Sequence, residues 1–469
     1  MSVKVEKDKF LIMLPHQKLA IHMVGVGGSG MSGLALLLKS MGFVVTGSDA
    51  KETAVTQGLR QKGISTAIGH DRKNLPRLAR LVVYSSAVPL AINPEILEAR
   101  RRGLAVLRRG SVLAQVSRLK RSITVAGTHG KTTTSSMIGL IMEDAGLEPT
   151  VIVGGEIRNL RSNAIFGQGR FFVMETDESD GSFLETSPWI GVVTNVDNDH
   201  LDHYGSMARL EAAFREHLNK IPFYGWAVLC QDDPVLMNRV AKGLTSSVCT
   251  YGLGRGAFCR GTHLAKGPKG YSFDAEWEGR CVARLALSVP GLHNVRNALA
   301  AAAASHLAGA SWPAIAKGLA QFKGIRRRLE VVGRQGGVLI LDDYGHHPTE
   351  IAATLQAVRE FYRFKRLLVC FQPHRYSRTK QLARHFAKVF RGVDFVWVCP
   401  IYAASERPIV GVSEDLVLAP LRRSGVPCAK FPGRALELRR ELRAGDCFIT
   451  IGAGDVWKIG EDLARRLGS

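Results

Sequence analysis

Two apolar segments of this chain run into glycine-rich turns, and each turn continues as an amphipathic helical pattern. The first is LAIHMVGVGG followed by SGMSGLALLLKSMG, and the second is RSITVAGTHGKTTTSSMIGLIMEDAG. A strand that ends in a glycine turn and continues as a helix begins a βαβ unit, which needs a parallel sheet with helices on its faces. The chain is therefore expected to be an α/β protein with anion-binding sites at these turns.

The succession of strand-like and helix-like segments predicts three consecutive α/β domains. A chain of 469 residues is too long for one core. We expect a Rossmann-like domain over residues 1–118, a central P-loop ATPase-like domain over 119–322 and a second Rossmann-like domain over 323–469. In the last domain, strands are predicted at VLILDDY, RLLVCFQP, FVWVCP and DCFITIGAGD.

The first glycine loop predicts a site for a diphosphate. It contains Gly25, Gly27, Gly28, Ser29 and Gly30 in a GxGxxG pattern. Glycines let the backbone approach an anion, and the N-terminus of the following helix presents unpaired N–H groups to it. Asp49 follows about 20 residues later, where an acidic residue often binds a ribose. The spacing alone fits NAD, another nucleotide diphosphate or a tight turn without a ligand.

The second glycine loop predicts a cradle for the phosphates of ATP. It contains Gly127, Thr128, His129, Gly130, Lys131, Thr132 and Thr133. In such a loop the backbone N–H groups surround the β-phosphate, Lys131 reaches the β- and γ-oxygens, and the Thr132 hydroxyl coordinates Mg²⁺. The first glycine departs from the GxxxxGK[ST] spacing, because residue 125 is valine. The strand–GKT–helix order still indicates ATP binding.

Two acidic clusters follow strand-like segments in the same domain. They supply Glu175, Asp177, Glu178 and Asp180 in FFVMETDESDG, and Asp199, His200, Asp202 and His203 in TNVDNDHLDHYG. Either cluster alone is typical of a solvated loop. Beside GKT they predict a metal–ATP site, because Mg²⁺ prefers oxygen ligands and needs few from the protein. Mn²⁺ is expected to substitute for Mg²⁺.

The charge of the chain favours anionic partners but not nucleic acid. Lys and Arg number 63 against 41 Asp and Glu, a formal net charge of +22. The basic residues are dispersed, without a basic tail, a zinc finger or an RNA-binding signature, so no nucleic-acid partner is expected. No segment approaches the roughly 20 apolar residues of a bilayer span, and no secretory signal is visible. We expect no stable membrane insertion, a cytoplasmic location and a monomer or homodimer.

Eight motifs in chain order resemble the Mur ligases. They lie between residues 22 and 457 and are HMVGVGGSGMSGLA, VAGTHGKTTTSSMI, ETDESDGSF, TNVDNDHLDHYG, HNVRNALAA, LDDYGHHPTEI, FQPHRYSRT and ITIGAGDVW. The resemblance is strongest to the members that use ATP to join L-alanine to UDP-N-acetylmuramate through an acyl phosphate. It implies these two substrates, ATP with Mg²⁺, and three domains of which the last closes over the site.

The resemblance also implies roles for individual residues. The first glycine loop would hold the UDP diphosphate rather than NAD, with Asp49 and with Ser85, Ser86 and Ala87 of YSSAV. The metal ligands would be Thr132, Glu175 and His200. The remaining ATP contacts would come from Asn294 and Asn297 on the purine side, Arg328 at the domain junction and Asp343 near the ribose.

The alanine site is implied in the last domain. Its residues would be Tyr344, His346, His374, Arg375 and Arg378, in the motifs LDDYGHHPTEI and FQPHRYSRT. A guanidinium can grip a carboxylate with two hydrogen bonds, and a histidine can orient or deprotonate the ammonium. The residues expected to take part in catalysis are Lys131, Glu175, His200, Arg328, His346 and Arg375.

Two positions depart from patterns common in the family. Leu329 stands where the junction motif usually ends in phenylalanine, so an aromatic contact is lost or supplied elsewhere. The helix predicted from Arg209 to Asn219 contains no lysine, whereas several relatives carry a carbamoylated lysine there. The second departure favours the alanine-adding members over those that add later residues.

Three alternatives remain open from the sequence. An NAD-dependent dehydrogenase would use GVGGSG and Asp49 but leaves GTHGKTTT without a role. A nucleic-acid-binding NTPase would explain the net charge and the phosphate loop but not the C-terminal motifs. Within the family, the nearest rival is the ligase that attaches a preformed tripeptide to the same sugar.

Overall fold

The computed structural model describes residues 19–85, 87–179, 181–198, 201–404 and 406–468. Within these ranges the chain forms three sheets with helices around them, and each sheet takes its strands from one predicted domain. The predicted α/β class is therefore confirmed, whereas the boundaries after residues 118 and 322 stay predictions. The chain divides into two compact units, one comprising residues up to 266, 271–288 and 294–323, and the other 267–270, 289–293 and the residues from 324 onward.

The first sheet consists of five parallel strands in the order β3-β2-β1-β4-β5. The strands are β1 (Ala20–Val24), β2 (Val44–Asp49), β3 (Ser65–Ile68), β4 (Ala79–Tyr84) and β5 (Ala105–Arg108). The helices are α1 (Ser29–Ser40), α2 (Ala54–Gln61), α3 (Pro94–Arg101) and α4 (Arg109–Ser117). Because the chain leaves β1 toward both sides, the carboxyl end of β1 opens a crevice, and the first glycine loop lies there.

The second sheet has ten strands in the order β15-β14-β13-β12-β11-β10-β6-β9-β7-β8. Its first strands are β6 (Arg121–Ala126), β7 (Thr150–Ile157), β8 (Ser162–Phe166), β9 (Phe171–Glu175) and β10 (Ile190–Val193). They are followed by β11 (Trp226–Cys230), β12 (Ser247–Gly252), β13 (Cys259–Lys266), β14 (Tyr271–Trp277) and β15 (Arg280–Ala286). The helices are α5 (Lys131–Asp144), α6 (Leu201–Tyr204), α7 (Met207–Leu218), α8 (Leu292–Leu307) and α9 (Trp312–Gln321).

The strands β11 to β15 were not predicted from the sequence. Strands β13, β14 and β15 form an antiparallel extension of the sheet. The buried residues of β14 alternate with partly exposed ones, so the strand contains only short apolar signals. Long apolar runs identified the buried parallel strands at the centre of the sheet. A half-buried antiparallel strand such as β14 has no such run.

The third sheet lies in the second unit and has the order β16-β17-β21-β18-β19-β20. Its strands are β16 (Glu330–Gln335), β17 (Val338–Asp343), β18 (Arg366–Phe371), β19 (Phe395–Val398), β20 (Cys428–Lys430) and β21 (Asp446–Ile451). The helices are α10 (Pro348–Phe361), α11 (Tyr376–Val389), α12 (Asp415–Arg423), α13 (Ala435–Glu441) and α14 (Trp457–Gly468). Only β16 pairs antiparallel, and it does so with β17. The four predicted strands of this domain are confirmed.

The first and second sheets share one hydrophobic core within the first unit. This core joins Met23, Leu34 and Leu38 of the first sheet's layer to Phe172 and Met174 of β9. The shared core fixes the distance between the two glycine loops, because the side chains of both layers interdigitate in it. Among the described residues, none of the helices combines the length and the apolarity that a membrane span requires.

A buried carboxylate organises the interior of the first sheet. Glu95 is 0% exposed and accepts hydrogen bonds from Ser48 Oγ at 2.5 Å and Asn74 Nδ2 at 2.7 Å. The Nε2 atom of His22, itself 1% exposed, lies 3.2 Å from the same carboxylate. Burial alone would raise the pKa of Glu95, but the hydrogen bonds from His22, Ser48 and Asn74 outweigh it and lower the pKa.

We expect Glu95→Gln to flatten the dependence of stability on pH in acid. The folded-state pKa of Glu95 is lowered, so the ionised carboxylate stabilises the fold above the unfolded value near 4.5, and this stabilisation is lost as the pH falls through the folded value. Urea unfolding from neutral to acid pH should show a steeper loss for the wild type than for the variant. At neutral pH the substitution should cost roughly 1–3 kcal/mol.

The control for this prediction is Glu52→Gln, which removes an exposed carboxylate that pairs with Arg60. An exposed pair of this kind contributes little to stability. If the two variants had the same pH profile, the buried network around Glu95 would not be the cause of the stability loss in acid.

Candidate active site

The backbone N–H groups of the first glycine loop donate hydrogen bonds to residues at the end of β2. Gly25 has φ +81°, a conformation that favours glycine, and its N–H donates to Ser48 O at 2.8 Å. The Gly27 N–H donates to Asp49 Oδ2 at 2.8 Å. A Cβ at Gly27 would lie only 2.9 Å from that oxygen. Asp49 thus fixes the loop, and its predicted contact with a ribose stays a prediction.

The YSSAV segment lies beside the same loop. A Cβ at Gly25 would meet Ser85 Cβ at 3.1 Å, and the Ser85 N–H donates to Val24 O at 3.1 Å. The Ala87 N–H donates to Ser85 Oγ at 3.4 Å. The structure therefore brings Ser85 and Ala87 to the loop. Ser86 and the side chain of Ser29 lie outside what the structure describes.

The start of α1 completes this loop. Gly28 is the N-cap residue and makes no side-chain capping bond, and Gly30 lies in the first helical turn. The first N–H groups of a helix have no partner within the helix, and the helix dipole favours an anion there. The predicted diphosphate site therefore has the expected local geometry.

The second glycine loop, residues 127–130, joins β6 to α5 and needs glycine at both ends. Gly127 and Gly130 have φ +124° and +85°. A Cβ at Gly127 would overlap Thr194 Oγ1, and one at Gly130 would lie 2.6 Å from Asn297 Oδ1. Both glycines are therefore required by backbone conformation and by space.

Residues that follow β10 brace this loop from outside. Thr194 Oγ1 donates to His129 O at 2.6 Å, and Asn195 Nδ2 donates to the same carbonyl at 2.9 Å. The Asn195 side chain also accepts the His129 N–H at 2.9 Å, and the Thr128 N–H donates to Asn195 O at 3.1 Å. These four hydrogen bonds attach the phosphate loop to the residues that follow β10.

Lys131 begins α5 and points into the loop. Its ammonium lies 2.6 Å from Gly127 O and 2.8 Å from Glu178 Oε1. The side chain of Glu178 is 1% exposed and that of Lys131 is 18% exposed. Burial opposes the charge of Lys131, but the carboxylates of Glu178, Asp177 and Glu175 outweigh it and raise the pKa of Lys131. Burial raises the pKa of Glu178 to about 7, with Lys131 acting against the rise.

Glu175 ends β9 beside this lysine. Among the described residues, no hydrogen-bond partner reaches its buried Oε2 atom. A Cβ at Gly154 would overlap Glu175 Oε1, so the carboxylate occupies space that glycine leaves free. An unpaired buried carboxylate oxygen costs energy unless a cation or donor joins it. This observation fits a divalent cation. The part predicted for Thr132, at the start of α5, stays a prediction. His200 lies outside the described residues.

Asn294, Asn297 and Thr133 lie around the start of α5. Asn297 is 8% exposed, and its Nδ2 donates to Asn294 Oδ1 at 3.2 Å. Because Asn297 Oδ1 faces Gly130, the structure puts this amide against the phosphate loop. Thr133 is buried and is the third residue of the helix. Contacts of the two asparagines with a purine stay predictions.

In the second unit, Asp343 binds the segment that carries Arg328 and Leu329, called the junction segment. Its carboxylate accepts the N–H groups of Leu329 at 2.7 Å and Gly345 at 2.8 Å, and the Thr354 hydroxyl at 3.1 Å. Burial raises the pKa of Asp343, and the charge of Arg328 acts against the rise. Protein donors therefore surround this carboxylate, and its contact with the ATP ribose stays a prediction.

Arg328 lies over an aromatic ring of the same unit. Its guanidinium carbon is 5.0 Å from the ring centroid of Tyr344, and that of Arg327 is 5.0 Å from the same centroid. Such cation–π contacts stabilise both groups. Tyr344 thus supplies an aromatic contact at the junction, where Leu329 packs against the core of the third sheet.

The residues predicted to bind alanine converge at the carboxyl ends of β17 and β18. The rings of His346 and His374 are 5.5 Å apart, and the His346 ring is 5.7 Å from that of Tyr344. His374 stacks on Tyr402 at 5.7 Å, and Arg378 Nη1 lies 3.3 Å from His374 Nδ1. The sequence motifs therefore do form one cluster.

Arg375 has the most unusual geometry of this cluster. It caps α11 with φ +65° and ψ 142°, which is strained for a residue with a side chain. The strain is maintained by its N–H, which donates to Tyr402 O at 2.8 Å, and by its carbonyl, which accepts from Thr379 Oγ1 at 2.7 Å. Its Nε is buried, and no described residue accepts a hydrogen bond from it. The guanidinium is thus available to an anionic ligand.

Some residues of the site were missed from the sequence. Thr194 and Asn195 brace the phosphate loop, and Tyr402 supports His374 and Arg375. Glu178 was expected as part of the acidic cluster, but its pairing with Lys131 was not. The position of TNV directly after a strand could have indicated the first two. No sequence signal marks Tyr402, since its role depends on β19 lying beside β18.

Three family models match the chain in order. They are described as the Mur ligase family catalytic domain over residues 20–121, the Mur ligase middle domain over 125–305 and the Mur ligase glutamate ligase domain over 327–454.

Full-length relatives agree with these models. A UDP-N-acetylmuramate–L-alanine ligase from Endomicrobium trichonymphae is 45% identical over 443 residues, which are 94% of this chain and 98% of the relative. One from Aquifex aeolicus is 45% identical over 456 residues, which are 97% and 99%. The crystal structure of a UDP-N-acetylmuramate–alanine ligase from Thermotoga maritima has a TM-score of 0.80 and 30% identity, covering 96% of this chain and 99% of that one. On this similarity across nearly its whole length, the chain belongs to the Mur ligase family.

Proposed function

We propose that this chain uses ATP to join L-alanine to the lactyl carboxylate of UDP-N-acetylmuramate, a step of peptidoglycan precursor synthesis. The observation that carries the proposal is the identity of about 45% with ligases of that name over at least 94% of this chain. The site offers the corresponding chemistry: a phosphate cradle, a nucleotide loop and the Arg375 guanidinium, whose buried Nε has no partner among the described residues. We place the reaction in the cytoplasm, where ATP and UDP-linked sugars are available.

In the first step the lactyl carboxylate attacks the γ-phosphate of ATP, which gives an acyl phosphate and ADP. Little covalent work falls to the protein in such a transfer, so positioning and charge neutralisation dominate. Lys131 would balance charge on the β- and γ-phosphates, and the loop braced by Thr194 and Asn195 would hold them. Arg328 is proposed to supply a further positive charge to the transferring phosphate.

The cradle also suits Mg²⁺. Thr132, Glu175 and His200 are the proposed ligands, and the buried unpaired oxygen of Glu175 is the supporting observation. The ion, or Mn²⁺ in its place, would neutralise charge on the phosphate oxygens.

In the second step the amine of alanine attacks the acyl carbon, the amide bond forms and phosphate leaves. The amine must be free of its extra proton while the carboxylate is held. We assign the carboxylate to Arg375, whose Nε has no described partner, with Arg378 beside it. His346 or His374 would orient the ammonium and take up its proton.

The proposal predicts which substrates release phosphate. With ATP, Mg²⁺ and UDP-N-acetylmuramate, phosphate release should depend on L-alanine and be slower with glycine, because a buried methyl is worth only about 1 kcal/mol. Chelation by EDTA should stop the reaction without unfolding the protein. Release that depended on a preformed tripeptide instead of alanine, or turnover in metal-free buffer, would contradict the proposal.

We expect Lys131→Ala to abolish turnover while UDP-N-acetylmuramate still binds. Loss of a charge that stabilises the transferring phosphate should lower kcat by roughly two orders of magnitude or more. Calorimetry would follow binding, and Lys242→Ala, which removes an exposed lysine, is the matched control. Lys131→Ala combined with Glu178→Gln separates catalysis from the cost of an unpaired buried carboxylate. Turnover near the wild-type rate would exclude the assigned role.

We expect Arg375→Lys or Arg378→Lys to weaken the use of alanine. Each keeps the charge but loses the planar fork, so at least one should raise the KM for alanine about tenfold or more. The KM values for ATP and UDP-N-acetylmuramate should change far less. Arg384→Lys, on the exposed side of the same helix, is the control. An effect confined to ATP would show that this cluster is not the alanine site.

A further inference from the structure

Arg109 lies against the first glycine loop, although its sequence position is far from it. It is the first residue of α4, and its side chain is partly buried. A Cβ at Gly30 would lie 3.0 Å from Arg109 Nη1, 3.1 Å from Cζ and 3.2 Å from Nε. Gly30 lies in a helix and does not have a left-handed backbone, so its backbone conformation does not require glycine. Glycine is required here because a side chain would collide with Arg109. The space it leaves is filled by the guanidinium.

Helix α4, which begins with Arg109, also packs on the segment that follows β9 in the second sheet. A Cβ at Gly110 would lie 2.6 Å from Ser182 Cβ in that segment. The start of α4 therefore contacts both layers of the first unit, with Arg109 against the first glycine loop.

The N–H donors of the Arg109 guanidinium have no acceptor among the described residues. Among the residues that the structure describes, none accepts a hydrogen bond from Arg109 or forms an ion pair with it at contact distance. Arginine presents five donors in a planar fork that matches phosphate oxygens. The N-terminus of α1, on which the fork lies, is where the proposed function puts a diphosphate.

We propose that Arg109 binds the diphosphate of the UDP-linked substrate, together with the N-terminal N–H groups of α1. The proposal rests on the proposed function and adds one residue to it. Gly30 has no side chain because the guanidinium must lie flat on the backbone to reach the anion.

The test measures affinities of the full-length protein for UDP-N-acetylmuramate, UDP and a non-hydrolysable ATP analogue. Arg109→Ala should weaken the binding of both uridine ligands by the same factor, roughly tenfold or more, since a charge-assisted hydrogen bond to phosphate is lost. Arg109→Lys should weaken it less. Affinity for the ATP analogue and the melting temperature should not change. Arg101→Ala, which removes an exposed arginine paired with Glu98, is the matched control.

A second variant tests the contact itself. Gly30→Ala should displace the guanidinium and weaken UDP binding, but the same substitution should have little further effect in the Arg109→Ala background. Non-additivity of this kind is expected only if the two residues act through one contact. Additive effects would mean that Gly30 serves the loop without Arg109, and would overturn the proposal.

The remaining outcomes are distinct. If Arg109→Ala weakens UDP-N-acetylmuramate but not UDP, the guanidinium serves the lactyl carboxylate and the assignment to the diphosphate is wrong. Unchanged affinities, equal losses for all three ligands, or no measurable binding of UDP by the wild type also overturn it. If the wild type does not bind UDP-N-acetylmuramate at all, the proposed function fails first and the inference falls with it.

Discussion

The buried pairing of Lys131 with Glu178 is the interaction on which the arrangement of the central site depends. A lysine inside a phosphate loop must remain charged, and burial opposes that charge unless a carboxylate is near. Glu178 provides that carboxylate, with its Oε1 2.8 Å from the ammonium. The loop that carries Glu178 follows β9, so the strand order β10-β6-β9 sets the position of the pair.

The same principle of compensation operates in the other parts of the chain. In the first sheet, Glu95 is ionised in the interior because three side chains donate to it. In the second unit, Asp343 is buried but holds together the junction segment that carries Arg328. Arg375 differs from these groups, since its buried Nε has no described partner. A polar group left unpaired at a strand's carboxyl end is what a ligand site requires.

The topology of the three sheets determines where each part of the site lies. Each glycine loop lies at the carboxyl end of a strand, β1 or β6, that has later strands of the chain on both sides. At such a point the connections leave in opposite directions and open a crevice for an anion. A shared core ties the first two sheets together. The start of α4 lies along this seam, with Arg109 against Gly30 and Gly110 against Ser182. The cluster of Tyr344, His346, His374 and Arg375 lies at the carboxyl ends of β17 and β18 in the second unit.

The sequence by itself determined the α/β class, both glycine loops and the parallel strands that run into them, because long apolar runs and glycine turns are local signals. It also determined the family, through motifs in a fixed order. Only the tertiary structure decided which side chains meet. The bracing of the phosphate loop by Thr194 and Asn195, the support of His374 by Tyr402 and the contact of Arg109 with Gly30 all join residues distant in the chain. Such contacts depend on strand order and on close approach of backbones, and no local pattern records either.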